Sequence, residues 1–338
     1  MIKTAVLGAG SWGTAIAVLL AKKGTNVTLW EFFKENAEQI SADRENKKYL
    51  PGTILPDNII CTNDLETAVA DADYVVCAVP SKAVDATSKS LAPFYKENQI
   101  IINLAKGLDA NTFERMSEVI RKNIPNARIA VLTGPSHAEE VALGMATTVV
   151  AAGDTVEIAE EVQDLFMCDT FRVYVNPDMA GAEYGGALKN VIALCAGIAD
   201  GLGLGDNAKA ALMTRGMTEI ARLGVAMGAR LDTFFGLTGM GDLIVTCTSM
   251  HSRNRRAGIL IGKGMKAEYA VKEVKMVVEG VPAAAAAHSL AKKAGVEMPI
   301  CEMAYNILFC DVLPGDAVKS LMTRQKRHEP EDTIRRMD

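Results

Sequence analysis

Close-spaced cysteine pairs are missing from this chain. None of the seven cysteines (Cys61, Cys77, Cys168, Cys195, Cys247, Cys301 and Cys310) forms Cys-x-x-Cys, and none stands at zinc-like spacing from a histidine. A structural metal site is therefore not expected. An odd number of mostly apolar-flanked thiols suits a reducing cytoplasm. Positive charge is not in excess either: 36 Lys and Arg stand against 41 Asp and Glu, a net charge of −5. That excludes the basic footprint of a nucleic-acid-binding protein. No apolar run approaches the ~18 residues that cross a bilayer. Met1-Ile2-Lys3-Thr4-Ala5-Val6-Leu7 runs straight into a strand-like segment, without the charged and apolar regions of a secretory signal. With 49% hydrophobic and 23% charged residues, 338 residues make a globular chain of about two domains. Disordered, collagen-like and disulfide-stapled classes are excluded.

What the chain does have is alternation. Short apolar or β-branched runs occupy residues 3–7, 26–30, 59–62, 74–79, 100–104, 129–133, 147–152 and 171–175. Helix-like stretches such as 14–23, 64–72, 81–92 and 112–123 lie between most of them. This order predicts right-handed crossovers and a mainly parallel sheet. Near Asn176-Pro177-Asp178 the character changes, with proline as punctuation and Asp178 as a helix cap. Beyond it Ala, Leu, Met, Lys and Glu recur at helical spacing, as in 182–199, 207–227 and 282–294. The last stretch starts at Pro282 and stops at Gly295. The expected fold class is α/β: a Rossmann-like, doubly wound, mainly parallel sheet over residues 1–177, plus an all-helical C-terminal domain over 178–338. The polar tail from Gln325 reads as frayed or short helix.

Gly8-Ala9-Gly10-Ser11-Trp12-Gly13 is G-x-G-x-x-G between a strand and a helix, with a second strand following. Gly8 permits a tight turn, Gly10 presents no side chain to a pyrophosphate, and Gly13 lets helix and strand approach. The helix N-terminus offers free amides to the phosphates. Glu31 closes the second strand about 20 residues past the loop, where an acid accepts bonds from the adenosine ribose. A carboxylate there repels a 2′-phosphate, so NAD is favoured over NADP. The bland alternative is a solvated strand-end glutamate.

Other segments carry chemistry. Lys106, in Asn103-Leu104-Ala105-Lys106-Gly107, and Gly134-Pro135-Ser136-His137-Ala138 follow strands, on the side of a parallel sheet where ligands bind. Lys106 also fits a plain surface lysine, and His137 a helix-start residue. Lys189 and Asn190 interrupt an apolar helical run; burying such a lysine is costly without partners, and the alternative is a lysine snorkelling to the surface. Gly239-Met240-Gly241-Asp242 is a turn whose acid can cap the next segment. Ser252 caps a helix-like run, placing Arg253 and Asn254 at its positive end, a good site for a phosphate dianion. Gly201-Leu202-Gly203-Leu204-Gly205, with no preceding strand, reads as a helix–helix turn. These residues leave two alternatives open: a β-hydroxyacid or 6-phosphogluconate type of dehydrogenase, or a non-catalytic dinucleotide sensor.

Taken in order, these motifs, with Leu237-Thr238-Gly239-Met240-Gly241-Asp242-Leu243 and Ser252-Arg253-Asn254-Arg255, resemble the bacterial-type NAD(P)-dependent glycerol-3-phosphate dehydrogenases over almost the whole chain. The resemblance implies interconversion of dihydroxyacetone phosphate and sn-glycerol 3-phosphate, supplying the phospholipid backbone. It implies Lys189 as proton donor or acceptor. Lys106, Gly134, Ser136, Asp242, Ser252, Arg253 and Asn254 would contact substrate. Gly8, Gly10, Ser11, Trp12, Gly13, Glu31, Lys106, Ala138, Arg253, Val277 and Glu279 would line the cofactor site, with Lys106 and Asp242 assisting catalysis. Many members carry a basic residue after the second strand, where this chain has Glu31-Phe32-Phe33, a departure that again points to NAD. A lysine serves the proton step if burial and a second ammonium lower its pKa; Lys189 and Lys106 meeting over one oxygen would do that. An apolar helical domain suggests a homodimer.

Overall fold

The β-branched runs form eight strands in a computed structural model that describes residues 2–326, 328 and 329. They are β1 (Lys3–Leu7), β2 (Asn26–Trp30), β3 (Ile59–Thr62), β4 (Tyr74–Cys77), β5 (Ile100–Asn103), β6 (Arg128–Thr133), β7 (Thr147–Gly153) and β8 (Phe171–Val175). Their order in the sheet is β3-β2-β1-β4-β5-β6-β7-β8. Pairing is parallel everywhere except between β6 and β7. The fold class is therefore an α/β, Rossmann-like, mainly parallel sheet followed by helices. Chain order reverses at β1, which pairs with β2 on one side and β4 on the other. Ligands bind at such a switch point, outside the carboxyl ends of the strands.

Both faces of the sheet are covered. Val6, Ile16, Leu20, Leu29, Val76 and Ile102 belong to the core on one face, and Leu7, Val75, Ile101, Val119 and Ile129 to the core on the other. The helix Ser11–Lys22 is buried from Gly13 to Ala21. Several boundaries differ from the sequence expectation. The segment 81–92 is a short 3-10 turn, Ser81–Ala83, and then the helix Val84–Leu91. The expected helix 112–123 begins only at Met116. Phe113, before it, adopts φ 60°, and Leu108 bridges to Arg115, so this stretch is spent on a loop.

Contacts divide the chain into two compact units: Met1–Asp109 with Glu114–Met179, and Ala110–Phe113 with Ala180–Asp338. The second contains the long helices Gly205–Ala226 and Gly280–Ala294, and nearly all of Met179–Leu202. Gly280–Ala294 starts two residues before Pro282, which sits in the first turn, where its missing N–H costs nothing. Gly295 closes it at φ 65°. The expected turn over 201–205 is shorter in the structure: Gly201 and Leu202 still belong to the helix Met179–Leu202, Gly205 opens the next, and Gly203 and Gly205 take positive φ. Most of the tail from Gln325 lies outside the described residues.

One expectation needs correction. Met179–Leu202 is long and apolar enough to cross a membrane by length and composition, although no such run was read from the sequence. Glu183, Lys189 and Asn190 interrupt it, and 78% of its most apolar window is buried inside the protein. Packing inside the protein consumes most of its apolar surface.

Candidate active-site elements in each unit

In the first unit, Gly8 takes φ 109°, and a Cβ on it would stand 3.0 Å from the carbonyl carbon of Ala78 and from Val79. The turn after β1 thus presses against the chain leaving β4, at the switch point. At Gly13 a Cβ would lie 1.9 Å from the Gly8 oxygen, so any side chain would force helix and strand apart. A Cβ on Gly10 would meet nothing within 4 Å. Gly10 is the helix N-cap without a side-chain cap, which leaves the amides of Ser11 and Trp12 for a ligand. Trp12 Nε1 is buried without a hydrogen-bond partner. Open space at Gly10, uncapped amides and an orphaned donor fit the pyrophosphate of a dinucleotide.

Glu31 is not a solvated strand end; it is only 7% exposed. Its Oε1 accepts from the Phe33 amide at 3.2 Å and from Asn36 Nδ2 at 3.3 Å, anchoring the start of the helix Lys34–Asp43. Phe32 and Phe33 beside it are exposed, their rings edge-to-face at 5.1 Å. Lys106 follows β5 and Gly134 follows β6. Lys106 Nζ donates to the Gly134 carbonyl at 2.8 Å and lies 3.4 Å from Ser136 Oγ, which itself donates to that carbonyl at 2.9 Å. Lys106, Gly134 and Ser136 therefore form one polar cluster at the carboxyl edge. Ala138 opens the helix Ala138–Ala142 and packs into the sheet core, with His137 at the N-cap.

In the second unit, Lys189 is 4% exposed rather than snorkelling. Its Nζ donates to Asp242 Oδ1 at 2.7 Å and to Thr246 Oγ1 at 2.5 Å. The Thr246 hydroxyl in turn donates to the Asp242 carbonyl at 2.6 Å. Asp242 is 1% exposed and does not take the capping role open to it. It enters the helix Asp242–Thr248 through a π-helical turn, Leu237–Gly241, closed by Gly241 N donating to Gly236 O. π turns are rare and gather at functional sites. Thr246 escaped the sequence reading, although four residues after Asp242 on a helix is the same face.

The helix Arg253–Gly262 begins as expected, with Ser252 Oγ accepting from the Arg255 amide at 3.2 Å. The Asn254 side chain is engaged at both ends. Its Nδ2 donates to Asn190 Oδ1 at 2.8 Å and its Oδ1 accepts from the Gly280 amide at 2.8 Å. Its side chain is spent mainly on joining three segments, next to Lys189 in one direction and to the Val277–Glu279 stretch in the other. Val277 is half-buried, and Glu279 is the N-cap residue of Gly280–Ala294. Arg253, half-buried, holds the first helical position. All seven cysteines are free thiols; burial pushes Cys77, Cys195 and Cys247 up to about 12.

Two family models cover this arrangement, the N-terminus of NAD-dependent glycerol-3-phosphate dehydrogenase over residues 3–159 and its C-terminus over 178–319. A glycerol-3-phosphate dehydrogenase [NAD(P)+] of Moorella thermoacetica is 57% identical over 327 residues, 97% of each chain. That of Clostridium perfringens is 54% identical, over 97% of this chain and 99% of its own. The crystal structure of glycerol-3-phosphate dehydrogenase from Coxiella burnetii superposes with a TM-score of 0.92 at 36% identity, covering 96% of this chain and 99% of that one.

Proposed function

The chain belongs to the NAD-dependent glycerol-3-phosphate dehydrogenase family, and from that premise we propose how its own residues carry the reaction. It is an oxidoreductase with glycerol-3-phosphate dehydrogenase [NAD(P)+] activity. The pair interconverted is dihydroxyacetone phosphate and sn-glycerol 3-phosphate. The nicotinamide, when bound, supplies or accepts the hydride. Residues 1–177 hold the dinucleotide, and 178–338 hold most of the substrate.

Lys189 moves the proton at the C2 oxygen, giving it to the alkoxide in reduction and taking it from the alcohol in oxidation. The observation that carries this role is the buried amine held at 2.7 Å by Asp242 and 2.5 Å by Thr246. A lysine on that apolar helix has no packing purpose, and its two partners fix where Nζ points. Asp242 orients the amine. Lys106, with Gly134 and Ser136, meets the substrate from the edge of the sheet and also borders the cofactor.

The phosphate is gripped at the mouth of Arg253–Gly262, by the Arg253 guanidinium, the Arg253 and Asn254 amides, the Ser252 segment and the remaining side-chain N–H of Asn254. Holding that end fixes the reacting carbon in a near-attack position. Ser11, Trp12 and the glycine loop bind the pyrophosphate, with Ala138, Val277 and Glu279 at the cofactor. Glu31, one carboxylate oxygen engaged locally, uses the other for the ribose hydroxyls, so NAD is preferred over NADP. The product supplies phospholipid synthesis in the cytoplasm, and the protein is a homodimer. Initial rates of NADH against NADPH oxidation by dihydroxyacetone phosphate test the reading: a faster NADH reaction supports it, NADPH preference overturns the role of Glu31, and no oxidation with either overturns the activity.

A further inference from the structure

The basic run Arg253-Asn254-Arg255-Arg256 is only partly used by a phosphate grip. Arg255 points elsewhere. Its Nε donates to Asp200 Oδ2 at 2.8 Å and its Nη1 to the Thr248 carbonyl at 2.7 Å. Asp200 Oδ1 also pairs with Lys209 Nζ at 2.5 Å. These three side chains are 13–19% exposed, so water competes weakly for them. They join the C-terminal part of Met179–Leu202, the N-terminal part of Gly205–Ala226, the N-terminal turn of Arg253–Gly262 and the last residue of Asp242–Thr248.

The same helix pair meets along a seam without side chains. Cβ atoms built on Gly197 and Gly201 would fall 2.1 Å from the Arg255 carbonyl and 2.4 Å from that of Ile259. Cβ atoms on Gly258 and Gly262 would fall 2.1 Å from the Leu194 carbonyl and 2.3 Å from that of Ile198. Each helix therefore presents a Gly-x-x-x-Gly face to the other, and the backbones touch. Leu194 and Ile198 pack with Ala257 and Ile261 beside this seam, but the glycine contact itself does little to resist sliding. The Arg255–Asp200–Lys209 cluster supplies that resistance at the end where Arg253 stands.

We propose that Asp200 and Arg255, with Lys209, are positioning residues that set the register between the anion-gripping mouth at Ser252–Asn254 and the helix carrying Lys189, and so match the enzyme to a phosphate two bonds from the reacting carbinol. The inference rests on the phosphate grip proposed above. None of the three residues touches the substrate. Their effect passes through the Arg253 guanidinium and the Arg253 and Asn254 amides, whose distance from Lys189 decides whether a bound phosphate leaves C2 within reach of the amine.

Asp200→Asn is the informative variant because electrostatics and positioning predict opposite signs. Losing a carboxylate near a phosphate site strengthens anion binding if charge alone matters. Losing the brace weakens it. The measurements are kcat and KM for dihydroxyacetone phosphate, KM for NADH, the slow reduction of unphosphorylated dihydroxyacetone, and competitive inhibition by inorganic phosphate. Asp200→Asn and Arg255→Lys should each raise the KM for dihydroxyacetone phosphate and the phosphate inhibition constant roughly tenfold. KM for NADH and the rate with dihydroxyacetone should hold. The double variant should be no worse than the worse single one.

Arg253→Ala separates the two readings. If it leaves phosphate inhibition unchanged, the grip itself is misassigned. If it weakens inhibition while Asp200→Asn leaves it unchanged or tightens it, the brace is overturned. A loss spread equally over all substrates, with a lowered melting temperature, also overturns it in favour of a plain structural role. Lys209→Met, the mildest truncation, repeats the measurement should Arg255→Lys fold poorly.

Discussion

A lysine of 4% exposure is the residue on which the proposed chemistry turns. Taking Lys189 out of water is tolerable because Asp242 and Thr246 meet its amine. Lys189→Met should cut kcat by about a hundredfold or more and leave the Kd for NADH unchanged; turnover near wild type would remove the residue from the mechanism. The same change takes the 2.7 Å ammonium partner from a carboxylate only 1% exposed, at a cost of about 3–5 kcal/mol. Lys189→Met with Asp242→Asn should recover most of that stability in urea titrations without recovering kcat, which separates the structural from the chemical role. At this scale the sequence showed which residues to suspect, since a lysine within an apolar helix is out of place. It did not show Thr246, or that the Asn254 side chain turns toward Asn190 and Gly280, because such pairings are decided by neighbours far along the chain.

Helix ends and helix contacts carry the next level. Ser252 caps the Arg253 helix through the Arg255 amide; Ser252→Ala should cost about 1 kcal/mol, read from the urea midpoint, with a rise in KM for dihydroxyacetone phosphate because the same turn is the proposed phosphate grip. Glu219 on Gly205–Ala226 does the same job for another helix. Its carboxylate accepts from Ile300 N at 2.8 Å and from Cys301 N at 3.1 Å, holding the N-terminus of Pro299–Phe309. Burial pushes this carboxyl up to about 7, against the pull of those amides and of Arg222. An unfolded glutamate titrates near 4.5. Between the two values the folded chain binds more protons, so this contribution is full below about 4.5 and is lost as pH rises to about 7. The difference is about 3 kcal/mol. Glu219→Gln should remove it, so that the gap in stability between wild type and variant changes across pH 4.5 to 7; a constant gap would show that Glu219 titrates normally. Helix existence was readable from spacing and from Gly295, whereas starts were missed at Met116 and Gly280 because loop backbone at 108–115 and a tolerated first-turn proline leave no periodic signal.

At the level of the whole molecule, the proposed function divides the work between two units of different composition. Binding of NADH to the first should raise the chain's stability by about 2.7 kcal/mol at a hundred times its Kd, measured as a shift of the thermal midpoint. Glu31→Ser with an arginine placed nearby should move that protection from NADH toward NADPH; an unchanged preference would show that Glu31 acts only as the anchor of Lys34–Asp43. The sequence by itself determined the alternating half, the helical half and the tight glycine turn that opens the first crossover helix, because burial periodicity and glycine requirements are local and leave their mark in order along the chain. Only the tertiary structure decided the antiparallel β7, the burial of an apolar helix that could have passed for a membrane span, and the partners of Lys189, Asn254 and Arg255. Those depend on which segments come to lie side by side, and hydrogen bonds between residues more than fifty positions apart have no signature in local spacing.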